Sequence, residues 1–300
     1  MPISLPPISR RGFIRGALTA AGAMALGPQW SSGAQAADPN RLALFSDIHL
    51  NGAKTPTRGV NMWQNFVACR EQVLAMETRP AAMLINGDCA HLQGKPEDYR
   101  TVLEAIAPAR AKGIPVHLAL GNHDNRENIL KSIPADKTLS VKFDRRAMIV
   151  PLPTADWYIL DSLERTSHTP GTLGPVQITW LKKTLDARPK RPAVIMLHHQ
   201  MDWINDGKIS GLSDTKQFID VIKPRNQVKA VLFGHTHVWK HYNRDGLHFI
   251  NLPTTAYVFR EGEPAGWVDA KVTDKSMTLQ LHTVDANHPE NKQTLNLPWR

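Results

Sequence analysis

Two histidines separated by one residue stand directly after an apolar run. They lie in the segment Gly234–His237, which reads GHTH, and the run before it is Val231–Phe233. Such a run is typical of a buried strand, glycine allows a sharp turn, and neutral imidazole is the commonest metal ligand in proteins. The two imidazoles can reach one ion if the chain bends, or else two neighbouring ions. Alone, the pair could also be two loop histidines that face solvent.

The same pattern, an apolar run that ends in a polar cluster, occurs at four other places. The clusters are Asp47-x-His49, Gly87-Asp88, Gly121-Asn122-His123 and His198-His199. Ligands of open α/β sheets gather at the carboxyl ends of the strands, so all five clusters are expected along one edge. Each has a structural alternative, such as a turn aspartate, a helix cap or a buried hydrogen-bonded histidine. Five such coincidences are improbable, and the sequence predicts one shared site.

The donor types indicate which metals the site would bind. The clusters offer two aspartates, one asparagine and at least four histidines, with no thiolate among them. Such a mixed oxygen and nitrogen set suits zinc, manganese or iron better than calcium or magnesium. Seven donors are too many for one tetrahedral zinc with an open position. They suit two ions that share a carboxylate, an arrangement that P–O hydrolysis uses with the ions about 3.5–4 Å apart.

Strands and helices alternate through most of the chain and must position these clusters. Short apolar runs predict buried strands at Leu42–Phe45, Ala82–Ile85, Val116–Leu120, Trp157–Leu160, Val194–Leu197 and Val231–Phe233. Apolar residues at helical spacing predict helices around 63–74, 96–113 and 178–185, and a short helix that Ser213 caps and Pro224 ends. The pattern is that of an α/β protein.

The remaining segments differ from this alternation. The stretches His248–Asn251, Trp267–Val272 and Met277–Val284 have the pattern of antiparallel strands. Residues 125–144 are polar without clear periodicity and could cover the site, and residues 200–211 are polar and irregular. The segments Lys54–Gly59, Asn125–Asp144 and Met201–Gly211 are expected to decide substrate specificity. No repeat or Gly/Ser linker divides residues 37–300, which predicts a single domain.

Residues 1–36 have the composition of an export signal. The segment SRRGFIR at 9–15 precedes an uncharged, Ala/Gly-rich stretch, and small residues follow at Ala34–Ala36. The stretch is too short and too weakly apolar to span a bilayer. We expect a twin-arginine signal over 1–36, passage through the twin-arginine export machinery and a periplasmic location for residues 37–300. No other apolar run predicts a membrane span in this mature part.

Charge and cysteine content narrow the function classes. The formal net charge is +9, and a positive surplus attracts anionic ligands at long range, although a merely solvated surface is an open alternative. No Lys/Arg block interleaved with aromatic residues indicates a nucleic-acid-binding module. Cys69 and Cys89 are too few for a disulfide framework, and a bridge between them is left open.

In this order, the motifs DIH, GD, GNHD, HH and GHTH resemble those of the calcineurin-like metallophosphoesterase family. The resemblance is greatest to the branch of bacterial cyclic-nucleotide and glycerophosphodiester phosphodiesterases, and it extends from Arg41 to about Tyr257. It implies a four-layer α/β/β/α sandwich, in which two mixed sheets are flanked by helices, as a single domain. It also implies two divalent or trivalent metal ions, namely iron, manganese or zinc.

The resemblance also implies a role for each motif residue. The first ion would be held by Asp47, His49 and His237, the second by Asn122, His198 and His235, and both by the bridging Asp88. His123 would be catalytic, because it would hydrogen-bond the phosphoryl oxygens or assist the leaving group.

Other polar residues near the motifs are given no such role. His199 is treated as a neighbour of the ligand His198, and no site role is given to His91, His241 or Asp161. Proline commonly follows the histidine pair in this branch, whereas this chain has Gln200, so the loop that lines the pocket is expected to differ.

We therefore expect a metal-dependent phosphoesterase that acts on a small-molecule phosphate ester. A hydroxide shared by the two ions would attack the phosphorus, and a phosphodiester is the favoured substrate. Two alternatives stay open. One is a phosphomonoesterase or protein phosphatase, which would favour extra cations near the site, such as Arg58, Arg126 or Lys208. The other is a metal-loaded module that binds phosphate without catalysis.

Overall fold

A computed structural model gives the fold of this chain and describes residues 3–8, 36–132, 145, 147–204 and 210–300. Most of the predicted export signal lies outside the described residues, since only 3–8 and 36 of its span are included.

Seven strands form the first sheet. Numbered in chain order, they are β1 (Ile3–Leu5), β2 (Ala37–Phe45), β3 (Arg79–Asn86), β4 (Val116–Ala119), β11 (Gly266–Val272), β12 (Ser276–Thr283) and β13 (Thr294–Pro298). Their order in space is β1-β4-β3-β2-β11-β12-β13. β2, β3 and β4 run parallel, and the other neighbours pair antiparallel, so the sheet is mixed.

Six strands form the second sheet. They are β5 (Met148–Pro151), β6 (Asp156–Ile159), β7 (Ala193–Met196), β8 (Val228–Phe233), β9 (Lys240–Arg244) and β10 (Leu247–Asn251). Their order is β5-β6-β7-β8-β10-β9. The four central strands are parallel, and both edge strands are antiparallel to their neighbours.

Five helices cover the outer faces of the two sheets within the described residues. They are α1 (Met62–Leu74), α2 (Pro96–Ala111), α3 (Arg126–Ser132), α4 (Gly174–Asp186) and α5 (Thr215–Ile222). α1 and α2 pack on the first sheet, and α4 and α5 pack on the second. None of the helices described here combines the length and apolar character that crossing a bilayer requires.

The core is divided into three layers of apolar contacts, which explains why the strands are apolar on both faces. In β2, Leu44 belongs to the layer between the sheets, which also contains Trp157, whereas Phe45 points outward against Phe66 of α1. Successive strand residues face opposite sides, so a strand covered on both sides needs an unbroken apolar run. The predicted α/β/β/α sandwich of two mixed sheets is confirmed.

The structure differs from the sequence pattern in several individual elements. The segment 125–144 has no clear periodicity, but α3 lies within it. Asn125 explains its start, because its side-chain oxygen accepts hydrogen bonds from the backbone N–H groups of Glu127 and Asn128. A seven-residue helix with one buried residue is too short to show a helical period. The rest of that segment lies outside the described residues.

Ser213 does not cap α5. Its hydroxyl donates a hydrogen bond to the carbonyl of Gly171. The residue before the helix is Asp214, and its carboxylate accepts hydrogen bonds from the backbone N–H groups of Leu173 and Gly174. The predicted antiparallel strand at 248–251 is only half right, because β10 pairs antiparallel with β9 but parallel with β8.

Candidate metal centre

The predicted site residues follow the carboxyl ends of five strands. Asp47 and His49 follow β2, Asp88 follows β3, Asn122 and His123 follow β4, His198 follows β7, and His235 and His237 follow β8. The first three strands belong to one sheet and the last two to the other. The side chains described below therefore meet at the seam between the sheets.

Asp47, His49 and His237 form a first donor group. Their ligand atoms all lie within 4.8 Å of one another, and all three side chains are buried. The Nε2 atoms of His49 and His237 are 3.2 Å apart, and His237 Nε2 is 3.3 Å from Asp47 Oδ1. Three donor atoms thus converge on one point from both sheets.

Asp88, His198 and His235 form a second donor group by the same distance criterion. Asp88 and His198 are buried, and His235 is half-buried. His235 and His237 therefore belong to different groups, as they must if the GHTH segment serves two neighbouring ions.

Asp88 lies between the two groups. Its Oδ2 atom is 3.4 Å from His198 Nε2 in the second donor group and 3.6 Å from His49 Nε2 in the first. Its Oδ1 atom accepts a hydrogen bond from the backbone N–H of His123 at 2.9 Å. One carboxylate oxygen therefore faces both groups, which is the position of a bridging ligand.

Hydrogen bonds to backbone carbonyls fix two of the imidazoles. His198 donates its Nδ1–H to the carbonyl of Asn86 at 2.9 Å, and His237 donates its Nδ1–H to that of Tyr257 at 2.6 Å. Each ring therefore directs Nε2 into the donor groups, as metal-binding histidines do.

Two further atoms show that the residues fit a metal ion. His198 Nε2 and Asn122 Oδ1 are buried and have no hydrogen-bond partner among the described residues. Buried polar atoms without partners are rare and cost free energy. An ion that accepts a lone pair from each would satisfy both.

The charges in the seam also favour a cation. Burial opposes ionisation of Asp47 and Asp88, yet the nearby His198 and other imidazoles hold the pKa of each carboxyl below its usual value. Burial likewise opposes the charge on His198, but Asp88 and Asp47 raise its pKa to about 10. Positive charge is thus stabilised beside these two carboxylates.

The backbone is strained where the donors lie. The angle φ is +52° at Asp47, +43° at His49, +46° at Asp88, +70° at His235 and +55° at His237. Residues with side chains rarely adopt this left-handed conformation, and those that do cluster at functional sites. Here all five of these residues belong to the two donor groups.

Two glycines allow the carboxylates to approach the neighbouring backbone. A Cβ atom at Gly121 would lie 2.1 Å from Asp88 Oδ1, and one at Gly234 would lie 2.5 Å from Asp47 Oδ2. Any side chain at either position would displace a donor. Steric crowding by the donor carboxylates therefore explains why the GNHD and GHTH motifs have glycine at these positions.

His123 borders the donor groups and is reached by solvent, with 27% of its side chain exposed. Its Nδ1–H donates to the carbonyl of Leu92 at 2.8 Å, and its Nε2 lies 4.0 Å from Asp88 Oδ2. The ring is therefore held with Nε2 toward the donor groups, where it can reach a bound anion.

Asp124 is a functional residue to which the sequence analysis gave no role. Its buried carboxylate accepts hydrogen bonds from the backbone N–H groups of Gly121, Cys89 and Ala90 at 2.9–3.1 Å. Burial raises its pKa to about 6. Asp124 thus ties the loop after β3 to the loop after β4. Its position at the end of the GNHD motif was the available signal.

The histidines without a predicted role lie outside both donor groups. His199 is buried beside the second group, with its Nδ1 atom 2.8 Å from Ser162 Oγ and its ring 4.9 Å from that of His235. The ring of His91 is 6.4 Å from that of His49. His241 lies elsewhere, on the β9–β10 pair, where its Nε2 atom is 2.9 Å from Nδ1 of His248.

The other polar candidates have structural roles or lie elsewhere. Arg126 donates two hydrogen bonds of 3.0 Å to the buried carboxylate of Asp161. Lys208 lies outside the described residues. Cys69 and Cys89 are both buried free thiols, so no bridge joins them.

Comparisons with known proteins agree with this architecture. A 3′,5′-cyclic-nucleotide phosphodiesterase of Nostoc is 27% identical over 74% of this chain and 80% of the relative. A 3′,5′-cyclic adenosine monophosphate phosphodiesterase of Pseudomonas aeruginosa is 25% identical over 80% of this chain and 85% of the relative. Among solved structures, a dimetal phosphatase from Danio rerio has the same fold, with a TM-score of 0.67 at 15% identity over 88% of this chain and all of that one.

The calcineurin-like phosphoesterase family matches residues 40–239, which include every residue of the two donor groups as well as Asn122 and His123. This chain belongs to the calcineurin-like phosphoesterase family.

Proposed function

We propose that this metal-dependent phosphoric ester hydrolase cleaves a cyclic nucleotide, with water as the nucleophile and a nucleoside monophosphate as the product. The position of Asp88 Oδ2 between two donor groups carries the proposal, because it fits a two-metal site. The cyclic-nucleotide phosphodiesterases among its relatives support a diester as the substrate.

The proposed ligands follow from the two groups. Asp47, His49 and His237 would hold one ion, Asn122, His198 and His235 would hold the other, and Asp88 would contact both. Asn122 is assigned by its buried, unpartnered oxygen. Imidazole and carboxylate together favour iron, manganese or zinc.

The ions would supply a water of lowered pKa and neutralise charge on the phosphoryl oxygens. His123 would act at its Nε2 atom, since its Nδ1–H is committed to the carbonyl of Leu92. From there it would hydrogen-bond a phosphoryl oxygen or give a proton to the leaving oxygen, which stays attached to the ribose. Asp88 accepts a hydrogen bond from the backbone N–H of His123, and this bond keeps the imidazole beside the donor groups.

A monoesterase is the second candidate, and the cations argue against it. A monoester carries more charge than a diester and favours additional arginine or lysine contacts. Arg126 is already bound to Asp161. Lys208 lies outside the described residues, so among the candidate cations that the structure describes only Arg58, a single exposed guanidinium over two aromatic rings, is left to serve a substrate.

The substrate class can be tested with the full chain loaded with Mn²⁺. We expect hydrolysis of 3′,5′-cyclic AMP and of bis(p-nitrophenyl) phosphate, little hydrolysis of p-nitrophenyl phosphate, and about two ions per chain by elemental analysis. Faster monoester turnover would favour the second candidate. Bound metal without any turnover would indicate a phosphate-binding module.

We also propose that the protein is exported to the periplasm by the twin-arginine route. The support is the SRRGFIR segment and the small residues at Ala34–Ala36. Replacement of both Arg10 and Arg11 by lysine should leave the chain in the cytoplasmic fraction. Unchanged periplasmic recovery would contradict this route.

A further inference from the structure

An exposed aromatic ring borders the first donor group. Phe259 is 52% exposed, one of four large hydrophobic side chains exposed in the part of the chain that the structure describes. Its ring stacks on the imidazole of His237, with centroids 4.2 Å apart and planes at 22°. A candidate metal ligand thus supports this ring, while much of the ring is open to solvent.

Tyr257 anchors this aromatic surface. Its ring stacks on His49 at 5.2 Å, lies 5.7 Å from the ring of Phe259, and its carbonyl accepts the Nδ1–H of His237. Two aromatic side chains are therefore in contact with two imidazoles of the first donor group. Their positions relative to the donor atoms are fixed by these contacts.

Arg58 lies over the same surface. Its guanidinium carbon is 5.4 Å from the ring centroids of both Tyr257 and Phe259. No carboxylate among the described residues forms an ion pair with it. Arg58 and Gly59 are at the tip of a two-residue turn closed by Thr57 and Val60, and φ is +52° at Arg58. Positive φ at Arg58 and Gly59 is the conformation that such a two-residue turn requires, and the turn holds the guanidinium over the two rings.

We propose that Phe259 is the surface on which the base of the substrate stacks, and that Arg58 adds positive charge that attracts its phosphate. This inference rests on the proposed function and names the determinant of its specificity. Every nucleobase has a π-face that stacks on aromatic side chains, and guanidinium groups add to such contacts. With the phosphorus at the donor groups, a ring stacked on His237 is within reach of the rest of a small nucleotide.

A comparison of two ligands isolates the contribution of the base to the binding affinity. The probes are 5′-AMP and ribose 5-phosphate, which carry the same phosphate and sugar but differ by the adenine. Calorimetry on the full chain loaded with Mn²⁺ measures both without requiring turnover. Wild-type protein should bind 5′-AMP about 10-fold more tightly, a difference typical of one stacked base.

Phe259→Leu should reduce this preference to less than about twofold, with the ribose 5-phosphate affinity unchanged, since leucine lacks a π-face. Phe259→Trp should retain it. The control is Val176→Ala, because Val176 is similarly exposed, at 54%, but lies on α4. If Phe259→Leu weakens both ligands equally, the ring only supports His237 and the inference is wrong.

Arg58→Ala should weaken both ligands by a similar factor, about threefold, as expected for one exposed charge. The control is Arg244→Ala. Arg244 also places its guanidinium over an aromatic ring, with its guanidinium carbon 4.3 Å from the ring centroid of Trp203, but it lies at the end of β9 and not beside Phe259. An effect on 5′-AMP alone would assign Arg58 to the base rather than the phosphate and would overturn its part of the inference.

Turnover of 3′,5′-cyclic AMP separates this inference from the proposed function. If wild-type protein hydrolyses it but shows no preference for 5′-AMP over ribose 5-phosphate, the stacking surface is wrong and the function stands. If a preference that depends on Phe259 is measured without hydrolysis of cyclic AMP, the stacking surface stands and the proposed substrate is wrong.

Discussion

His198 at the seam and His117 in β4 are both buried, yet their pKa values move in opposite directions. Burial lowers the pKa of His117 to about 4, and its Nδ1 atom has no partner among the described residues. Burial also disfavours the charged form of His198, but Asp88 and Asp47 reverse the effect and raise its pKa to about 10. The neighbours, and not the depth, decide where positive charge is stabilised.

The same contrast holds for the regions around these two residues. In β4, His117 has the regular pairing of a strand, opposite Ser4 of β1. At the seam, donors from both sheets meet on a left-handed backbone. The interior of β4 therefore disfavours a charge on His117, whereas the strand ends at the seam collect two carboxylates that attract a cation. The predictions below test this difference, from the largest expected effect to the smallest.

Replacement of Asp88 should abolish metal binding and hydrolysis at the seam. In Asp88→Asn the carboxylate that faces both groups is lost, so metal content should fall below one ion per chain. Hydrolysis of bis(p-nitrophenyl) phosphate should fall at least about 1,000-fold, the upper range for loss of one electrostatic group. Elemental analysis and steady-state kinetics measure both.

The matched control for Asp88 is Asp269→Asn. Asp269 is also a buried carboxylate, but it pairs with Arg41 through hydrogen bonds and belongs to neither donor group. Its variant should keep its metal and its activity. Full metal and full activity in Asp88→Asn would refute the two-ion site.

His123→Asn should separate catalysis from metal binding. The variant should keep its metal content while kcat falls about 100-fold or more, as is typical for a lost general acid or hydrogen-bond donor. His91→Asn serves as the control, since His91 lies near His49 but outside the donor groups. Equal losses of metal and turnover would instead make His123 a ligand.

Asp124→Ala should lower stability and activity because it unties the loops after β3 and β4. Three buried backbone N–H groups would lose their acceptor, so the free energy of unfolding should fall by about 3 kcal/mol, measured by urea denaturation. Activity should fall about 10-fold, since positioning partners of metal ligands have effects of this size. Asp220→Ala, at an exposed position on α5, should change neither. An unaltered unfolding transition in Asp124→Ala would show that the loops hold without it.

His117 should make folding sensitive to mild acid. Its pKa of about 4 in the folded state lies below the ordinary value of 6.5, so its stabilising contribution is complete above pH 6.5 and is lost as the pH falls toward 4. Between pH 7 and 5 the free energy of unfolding should fall by about 2 kcal/mol from this group. His117→Gln should remove this part of the pH dependence in urea titrations. An identical slope in both proteins would mean that His117 titrates freely.

The motifs could predict part of the convergence because each follows a strand, and the carboxyl ends of parallel strands in one sheet share an edge. The expectation of a single edge was wrong, because the strands belong to two sheets whose edges meet at the seam. The residues alone left open whether His235 and His237 serve one ion or two. The distances divide them between two groups, as the family resemblance implied. Both residues have a left-handed backbone, which no local pattern predicts.

Other features could not be predicted because they depend on neighbours distant in sequence. The sequence of β9 is polar because β9 is an exposed edge strand. Only its pairing with β10 shows that this segment is a strand. Phe259 belongs to no motif. Its place beside His237 follows from the path of the segment after β10, which has no helical or strand period.

Strand β1 has a consequence for the processed chain. Ile3 and Leu5 are buried against the first sheet, and their strand pairs with Leu118 and Val116 of β4. If the predicted signal is cut after Ala36, β4 loses this partner and becomes the border of the sheet. Its unpaired N–H and C=O groups could then accept a strand from another molecule, so the exported form would self-associate more readily than its precursor.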